Sequence, residues 1–306
     1  MTLLSLVGPI CAFSIGVAQE IPRKIHAPGA PVAVQDRDSA IVGADYVPEW
    51  YSMFTNIPKN WARFGKTVIT GEKVPMIVGM TLLTSALVAT DDETWRLSDR
   101  WYRGSMPVAK LSDTFQYMGD GTPQFGLAAG FAAFGFAAND RRALRTGSQI
   151  VEAILSCGIV IQVLKHATGR ESPFVSTVPG GKWDLLPNQI EYHRHVPRYD
   201  AYPSGHIATA LATVTVVAEN YPEWWWVRPI GYTIVGAIGV SMANTGIHWY
   251  SDYPLGLALG YSFGMLAAHP EVMGGIAGEN PPGVVKVLVS PVVTGDAAGV
   301  SILLSF

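Results

Sequence analysis

Apolar segments of similar length alternate with polar stretches along the chain from about residue 73 onward. Continuous apolar runs of roughly 15 to 18 residues are typical of buried helices, since strands are shorter. The runs predicted as helices are 74–90, 124–138, 148–165, 206–219, 229–245 and 253–268. The pattern therefore predicts an all-α fold over residues 73–270, a helical bundle of about six core helices.

The two ends of the chain differ from this helical region. Residues 20–72 contain scattered prolines and no sustained period, which predicts an irregular N-terminal extension with short helices. Before it, an apolar run ends in small residues, so residues 1–19 are predicted to be a signal peptide or an N-terminal anchor. Residues 271–306 hold two β-branched runs around a Gly-Asp turn, which predicts a linker and a C-terminal β-hairpin. An isolated hairpin is marginal in water, so it should pack on the bundle, pair with another chain or touch lipid.

Composition limits the partners. The chain has 306 residues, is 49% hydrophobic and carries a formal net charge of -3, which allows a sizeable core. Its Lys and Arg residues form no stripe of the kind that follows a phosphate backbone, so nucleic acid is not expected as a partner. The two cysteines, Cys11 and Cys157, provide no disulfide framework because the first lies in the predicted leader.

Helix length bears on membrane contact. The predicted helices are shorter than the roughly 20 residues needed to cross a bilayer core. A basic cluster precedes the first helix, at Lys59, Arg63, Lys66 and Lys73. In a membrane-embedded form that cluster would be cytoplasmic, whereas a cleaved signal peptide would place it outside. The signal peptide favours a soluble or peripheral periplasmic bundle, and a membrane-embedded form stays open. In either case we expect a cell-envelope protein with its active site on the non-cytoplasmic side.

Three short polar segments stand at boundaries between a predicted helix and a loop. They are KHATGRESP at 165–173, YPSGH at 202–206 and SMANTGIHWYSD at 241–252. If consecutive helices run antiparallel, all three boundaries fall at the same end of the bundle. The sequence therefore predicts that Lys165, His206, His248 and Asp252 converge.

These residue types suit phosphoryl transfer through a histidine. A neutral imidazole can attack phosphorus, a carboxylate can hold its other ring nitrogen, and a second histidine can protonate the leaving alcohol. Asp252 follows His248 by four residues, a separation that one turn brings together. Ser204, the backbone amides around Gly205 and the start of the next helix can bind phosphate oxygens.

The three segments resemble the signature motifs of the type 2 phosphatidic acid phosphatase superfamily, which includes bacterial acid phosphatases and vanadium haloperoxidases. Those motifs read K-x6-R-P, P-S-G-H and S-R-x5-H-x3-D, and the second is intact at residues 203–206. The resemblance implies His248 as the nucleophile, Asp252 as its partner and His206 as the general acid. It further implies phosphate binding by Lys165, Ser204 and Gly205.

Two family arginines are replaced in this chain, by Ser172 in the first motif and by Met242 in the third. Loss of guanidinium groups at a transferring phosphoryl group removes strong charge-assisted donors. Because a basic loop leads into the site, we expect Arg170, Arg194 or Arg198 to replace them as phosphate ligands.

The leading hypothesis is a metal-independent hydrolase of phosphate monoesters or lipid phosphates or pyrophosphates, working through a phosphohistidine and using no cofactor. Its partner would be a phosphorylated small molecule or lipid, with membrane contact possible and the oligomeric state open. The run His193, Arg194, His195 is weak as a zinc site, because no carboxylate or thiolate cluster accompanies it. Two alternatives remain, a catalytically impaired binding or scaffold protein of the envelope and a vanadate-dependent haloperoxidase.

Overall fold

The structure, a computed structural model, describes residues 48–68, 70–270, 286–294 and 297–305. The predicted leader at 1–19 and most of the predicted N-terminal extension lie outside the described residues. Residues 52–68, at the end of that extension, form two helices, α1 and α2.

Residues 48–270 are mostly helical, as the apolar pattern predicts. Their α-helices are α1 (Ser52–Thr55), α2 (Ile57–Val68), α3 (Val74–Val88), α4 (Asp91–Gly104), α5 (Met106–Gly119), α6 (Gly121–Ala138), α7 (Arg141–Thr168), α8 (Gln189–Arg194), α9 (Gly205–Asn220), α10 (Val227–Asn244) and α11 (Tyr253–Ala268). The predicted apolar segments correspond to α3, α6, α7, α9, α10 and α11. The number of helices exceeds the predicted six because polar sequences also form helices.

The polar stretch at residues 90–104, which lies between two of the predicted apolar segments, forms helix α4. Two ion pairs at i, i+4 spacing stabilise it, Asp92 with Arg96 at 2.8 Å and Asp99 with Arg103 at 2.7 Å. Acidic residues in its first turn also suit the positive end of the helix dipole. Asp91, the first residue of the helix, is fully buried.

Helix α7 is longer than predicted, with 28 residues from Arg141 to Thr168. The Asp140 side chain caps its start by accepting the Ala143 backbone N–H, and Gly169 ends it at φ 54°. By length and composition, two helical segments of the described chain could cross a membrane, Gly71–Val88 and Arg141–Thr168. Helix lengths therefore do not exclude a membrane-embedded form.

Helices α9 and α11 pack closely through glycines on α11. A Cβ atom at Gly256 would lie 2.6 Å from the Ser204 carbonyl oxygen, and one at Gly260 would overlap the Ala208 carbonyl. The Ser204 N–H also donates to the Asp252 carbonyl at 3.0 Å. This close approach holds the start of α9 against the start of α11, which places the second motif beside the third.

Replacement of Gly260 by alanine is expected to destabilise the bundle by about 1 to 3 kcal/mol, because the added methyl group meets backbone and forces α9 and α11 apart. The matched control is Gly236→Ala in α10, where nothing lies within 4 Å and alanine favours the helix. Denaturant unfolding of the two variants measures the difference. Equal stability of both would contradict the packing described.

Two strands lie at the C-terminal end, β1 (Lys286–Thr294) and β2 (Ala297–Ser305), and they pair antiparallel. The predicted linker and the turn between the strands fall on residues 271–285, 295 and 296, outside the described residues. What the predicted hairpin contacts stays a prediction.

Candidate active site

Two histidines that are 42 residues apart in the chain meet at one end of the bundle. His206 lies in the first turn of α9, and His248 follows the end of α10. Nδ1 of His206 and Nε2 of His248 share a hydrogen bond of 3.0 Å. The rings are therefore close enough to act on one small group, and that group must separate them to bind.

Asp252 lies beside His248 and is fully buried. Its Oδ2 is 3.4 Å from His248 Nδ1, and this ring nitrogen has no hydrogen-bond partner among the described residues. The same oxygen accepts the Trp249 backbone N–H at 2.8 Å, while Oδ1 accepts Arg170 at 2.6 Å. A small rotation of the imidazole would complete the bond that orients a nucleophilic histidine.

The proposed phosphate ligands lie at the ends of α7 and α9. Lys165, in the last turn of α7, is buried and has its Nζ 3.4 Å from Asp200 Oδ2. Ser204 stands at the N-cap of α9 without a side-chain capping bond, and its buried hydroxyl has no hydrogen-bond partner among the described residues. Gly205 is the first residue of that helix. An unpaired hydroxyl at a helix N-terminus suits an anion.

The three candidate replacement arginines are in very different places. Arg170 is fully buried, with its guanidinium 4.6 Å from the Trp183 ring centroid and bonded to two carboxylates. Arg194 is exposed and pairs with Glu191 at 3.2 Å, and Arg198 is exposed. Phosphate binding by any of the three stays a prediction, and for Arg170 the geometry favours a role in holding carboxylates.

The two positions where the family has arginine are buried in this chain. Ser172 donates its backbone N–H to the Pro197 carbonyl, and its side chain is almost wholly covered. Met242 is completely buried in an apolar cluster with Ile207 and Ile238. Neither side chain can give a phosphate the charge-assisted hydrogen bonds of a guanidinium.

Burial keeps both imidazoles neutral. It lowers the pKa of His248 to about 3, and the nearby Lys165 charge lowers it further. Burial also lowers the pKa of His206 well below its ordinary value, helped by His248 and Lys165. Asp252 has its pKa raised to about 6, again mainly by burial, with Arg170 opposing the shift. A neutral imidazole in the position of His248 suits a nucleophile.

Sequence reasoning missed three carboxylates around the site. Asp120, between α5 and α6, lies 3.4 Å from Nε2 of His206, and Asp200 faces Lys165. Asp91 is bonded to Arg170 at 2.6 Å. Asp200 lies close to the second motif in sequence, which is a weak signal that it belongs to the site. Asp91 and Asp120 reach the site only because helices distant in sequence pack together.

Comparisons with known proteins cover the part of the chain that holds this site. Residues 147–271 match the model of the PAP2 superfamily. Lipid A 1-phosphatase from Porphyromonas gingivalis is 38% identical over 68 residues, which is 22% of this chain and 15% of that protein. The matched segment thus spans less than a sixth of that relative.

Two solved structures are similar to the chain at low identity. LpxE from Aquifex aeolicus has 20% identity and a TM-score of 0.41, over 57% of this chain and 92% of its own. The transmembrane PAP2-type phosphatidylglycerolphosphate phosphatase from Bacillus subtilis has 14% identity and a TM-score of 0.45, over 71% and 94% of the respective chains.

The family match includes all three polar segments, from Lys165 to Asp252, and so agrees with the motif resemblance. Residues 147–271 of the chain are therefore similar to the PAP2 superfamily, by the family model and by the three motifs.

Proposed function

We propose that this protein hydrolyses a lipid phosphate ester or pyrophosphate through a phosphohistidine on His248. The observation that carries the proposal is the pair of histidines whose ring nitrogens lie 3.0 Å apart, within the segment that matches the PAP2 superfamily model. Lipid substrates are favoured over soluble ones because the curated relative is a lipid A 1-phosphatase.

The reaction needs two displacements at phosphorus. Nε2 of His248 forms a bond to phosphorus as the bond to the leaving oxygen breaks, and protonated His206 gives that oxygen its proton. In the second step a water oxygen attacks phosphorus and His206 takes the water's proton. The nitrogen–phosphorus bond then breaks, which releases inorganic phosphate and restores His248. Phosphate must first separate the two rings, because they bond each other in the structure.

Contact with a lipid surface is supported by α3. Its apolar side chains are exposed along the helix, at Val74, Met76, Val78, Leu82 and Leu83. Exposed apolar surface of this extent on a single helix is costly in water and favourable in hydrocarbon. We propose that α3 contacts the acyl region of the membrane, with the site on the non-cytoplasmic side.

Hydrolysis is expected to be fastest at acidic pH. His206 must carry a proton to act as an acid, and because its pKa is lowered, the protonated fraction grows only as pH falls below 6.5. His248 must be neutral, and with a pKa of about 3 it stays neutral through this range. Asp252 must be ionised to orient His248, and because its pKa is raised to about 6 the rate should fall again below that pH. Bound phosphate raises the His206 pKa, so the alkaline limb of kcat should lie at higher pH than that of kcat/KM. Profiles of kcat and kcat/KM from pH 4 to 9 measure where each falls at alkaline pH. Activity that rises above pH 8 would contradict the roles given to His206 and His248.

The direct test is phosphate release by the purified full chain in detergent. Phosphatidic acid, a polyprenyl pyrophosphate and p-nitrophenyl phosphate are compared at equal concentration. A lipid phosphatase should release phosphate from at least one of the two lipids with a higher kcat/KM than from p-nitrophenyl phosphate. Absence of release from all three, by protein that melts cooperatively, would overturn the proposal.

A second candidate is a protein that binds a lipid phosphate without hydrolysing it. It is favoured by one observation, that Ser172 and Met242 are buried where the family has arginines while Arg170 is bonded to carboxylates. The two candidates predict different results, because a binding protein would bind vesicles that contain lipid phosphate yet release no inorganic phosphate from them. Binding with no turnover would support this alternative.

A further inference from the structure

Asp91 is a buried carboxylate that lies far in sequence from the three motifs. It begins helix α4, 160 residues before Ser251, and is fully covered. Its Oδ2 accepts Arg170 at 2.6 Å and the hydroxyl of Ser251 at 2.5 Å, and its Oδ1 accepts the Ser251 backbone N–H at 3.3 Å. Asp91 therefore contacts the residue immediately before the proposed catalytic carboxylate.

Arg170 joins Asp91 to Asp252. One terminal nitrogen, Nη1, donates to Asp252 Oδ1 at 2.6 Å and to Ser251 Oγ at 2.6 Å, while Nη2 donates to Asp91 and to the Gly180 carbonyl. The aromatic rings of Trp183 and Trp249 cover the guanidinium. Both carboxylates and the guanidinium are removed from water, so their charges interact strongly.

The charge balance of this network matters for His248. A single pair of Arg170 and Asp252 would be neutral, and a neutral pair stabilises a positive imidazole poorly. With Asp91 the network has two carboxylates and one guanidinium, so above the raised pKa values of Asp91 and Asp252 it carries one net negative charge, which offsets the nearby Lys165 cation at His248. Positive charge develops on that ring when its nitrogen bonds to phosphorus, so a negative neighbour favours the transition state over the ground state.

We propose that Asp91 is a positioning residue for the His248 and Asp252 pair, acting through Arg170 and Ser251; this rests on the hydrolysis proposed above. Asp91 fixes Arg170, and Arg170 occupies Oδ1 of Asp252 so that Oδ2 is the oxygen facing His248. It also keeps the network negative. The role is distinct from substrate binding, because Asp91 touches neither histidine in the structure.

The experiment compares Asp91→Asn with Asp92→Asn in the full chain. Both changes neutralise one carboxylate in the first turn of α4, but Asp92 pairs with the exposed Arg96 outside the network. Asp91→Asn should lower kcat for lipid phosphate by about 10- to 100-fold, by analogy with groups that orient the ligands of metal sites. Its KM and its inhibition by inorganic phosphate should change less than about twofold, since phosphate ligands are intact.

A purely structural role would instead lower the amount of folded protein and leave kcat per folded molecule unchanged. Equal kcat in Asp91→Asn and Asp92→Asn, corrected for folded fraction, would overturn the proposal. If Asp91→Asn gives no cooperative melting, Ser251→Ala replaces it, because it removes the linking hydroxyl and keeps all charges. That variant should lose about fivefold in kcat at unchanged KM, the effect of one hydrogen bond, and full kcat would overturn the proposal. Wild-type protein without turnover would instead show that the proposed hydrolysis is wrong.

Discussion

Replacement of His248 by glutamine is expected to abolish lipid phosphate hydrolysis. The expected reduction in kcat is about 10⁴-fold or more, comparable to the loss when the nucleophile of a catalytic triad is removed. Glutamine is close in size and keeps a polar group at this buried position, so the loss should not come from unfolding. Phosphate release from lipid substrate measures the effect, and thermal melting checks the fold.

The matched control is His193→Gln. His193 is exposed in α8, and its Nδ1 hydrogen-bonds the carbonyl of Gln189 one turn earlier in the same helix. It should keep wild-type kcat and KM. Turnover above about 1% of wild type in His248→Gln would mean that another group attacks phosphorus or that the reaction is not covalent.

Replacement of Arg170 by methionine is expected to lower the free energy of unfolding by about 3 to 5 kcal/mol, because removing one partner of a buried ion network leaves the others uncompensated. Here Asp91 and Asp252 would face each other in a buried site without the guanidinium that pairs with both. Denaturant unfolding measures the change. Arg194→Met is the control, since Arg194 is exposed and its pairing with Glu191 is a surface contact that contributes little.

This result separates two roles for Arg170. The sequence places it near the missing arginines, so it is predicted to bind phosphate, and a phosphate ligand would mainly raise KM when removed. A structural cation would mainly lower stability. If Arg170→Met melts like the wild type but has a much higher KM, Arg170 binds phosphate during turnover and its position between the two carboxylates is not the one it has with substrate bound.

Much of the helical fold could be predicted because six helices are long and apolar, and apolar runs of that length have few alternatives. Helices α4 and α5 could not, since neither contains a long apolar run; in the structure two i, i+4 ion pairs stabilise α4. The length of α7 was underestimated because its first turns, Arg141–Gly147, are polar.

The candidate site could be predicted in part, from motif order and helix polarity. His206, His248 and Asp252 lie at one end of antiparallel helices, and that end is fixed once the helices are placed. Asp91 and Asp120 could not be predicted, because their approach depends on how distant helices pack. The sequence also does not show which way the Arg170 side chain points. Arg170 is close to Ser172 in sequence, yet its side chain bonds Asp91 and Asp252.

The central claim, that phosphate passes through His248, is tested most directly by trapping the intermediate. A ³²P-labelled lipid phosphate is mixed with the full chain, the reaction is stopped in alkali within milliseconds to seconds, and the labelled peptide is identified. The account predicts label on His248 that is stable in base, lost in acid and absent from His248→Gln. Turnover without labelled protein, or label on a different residue, would contradict it.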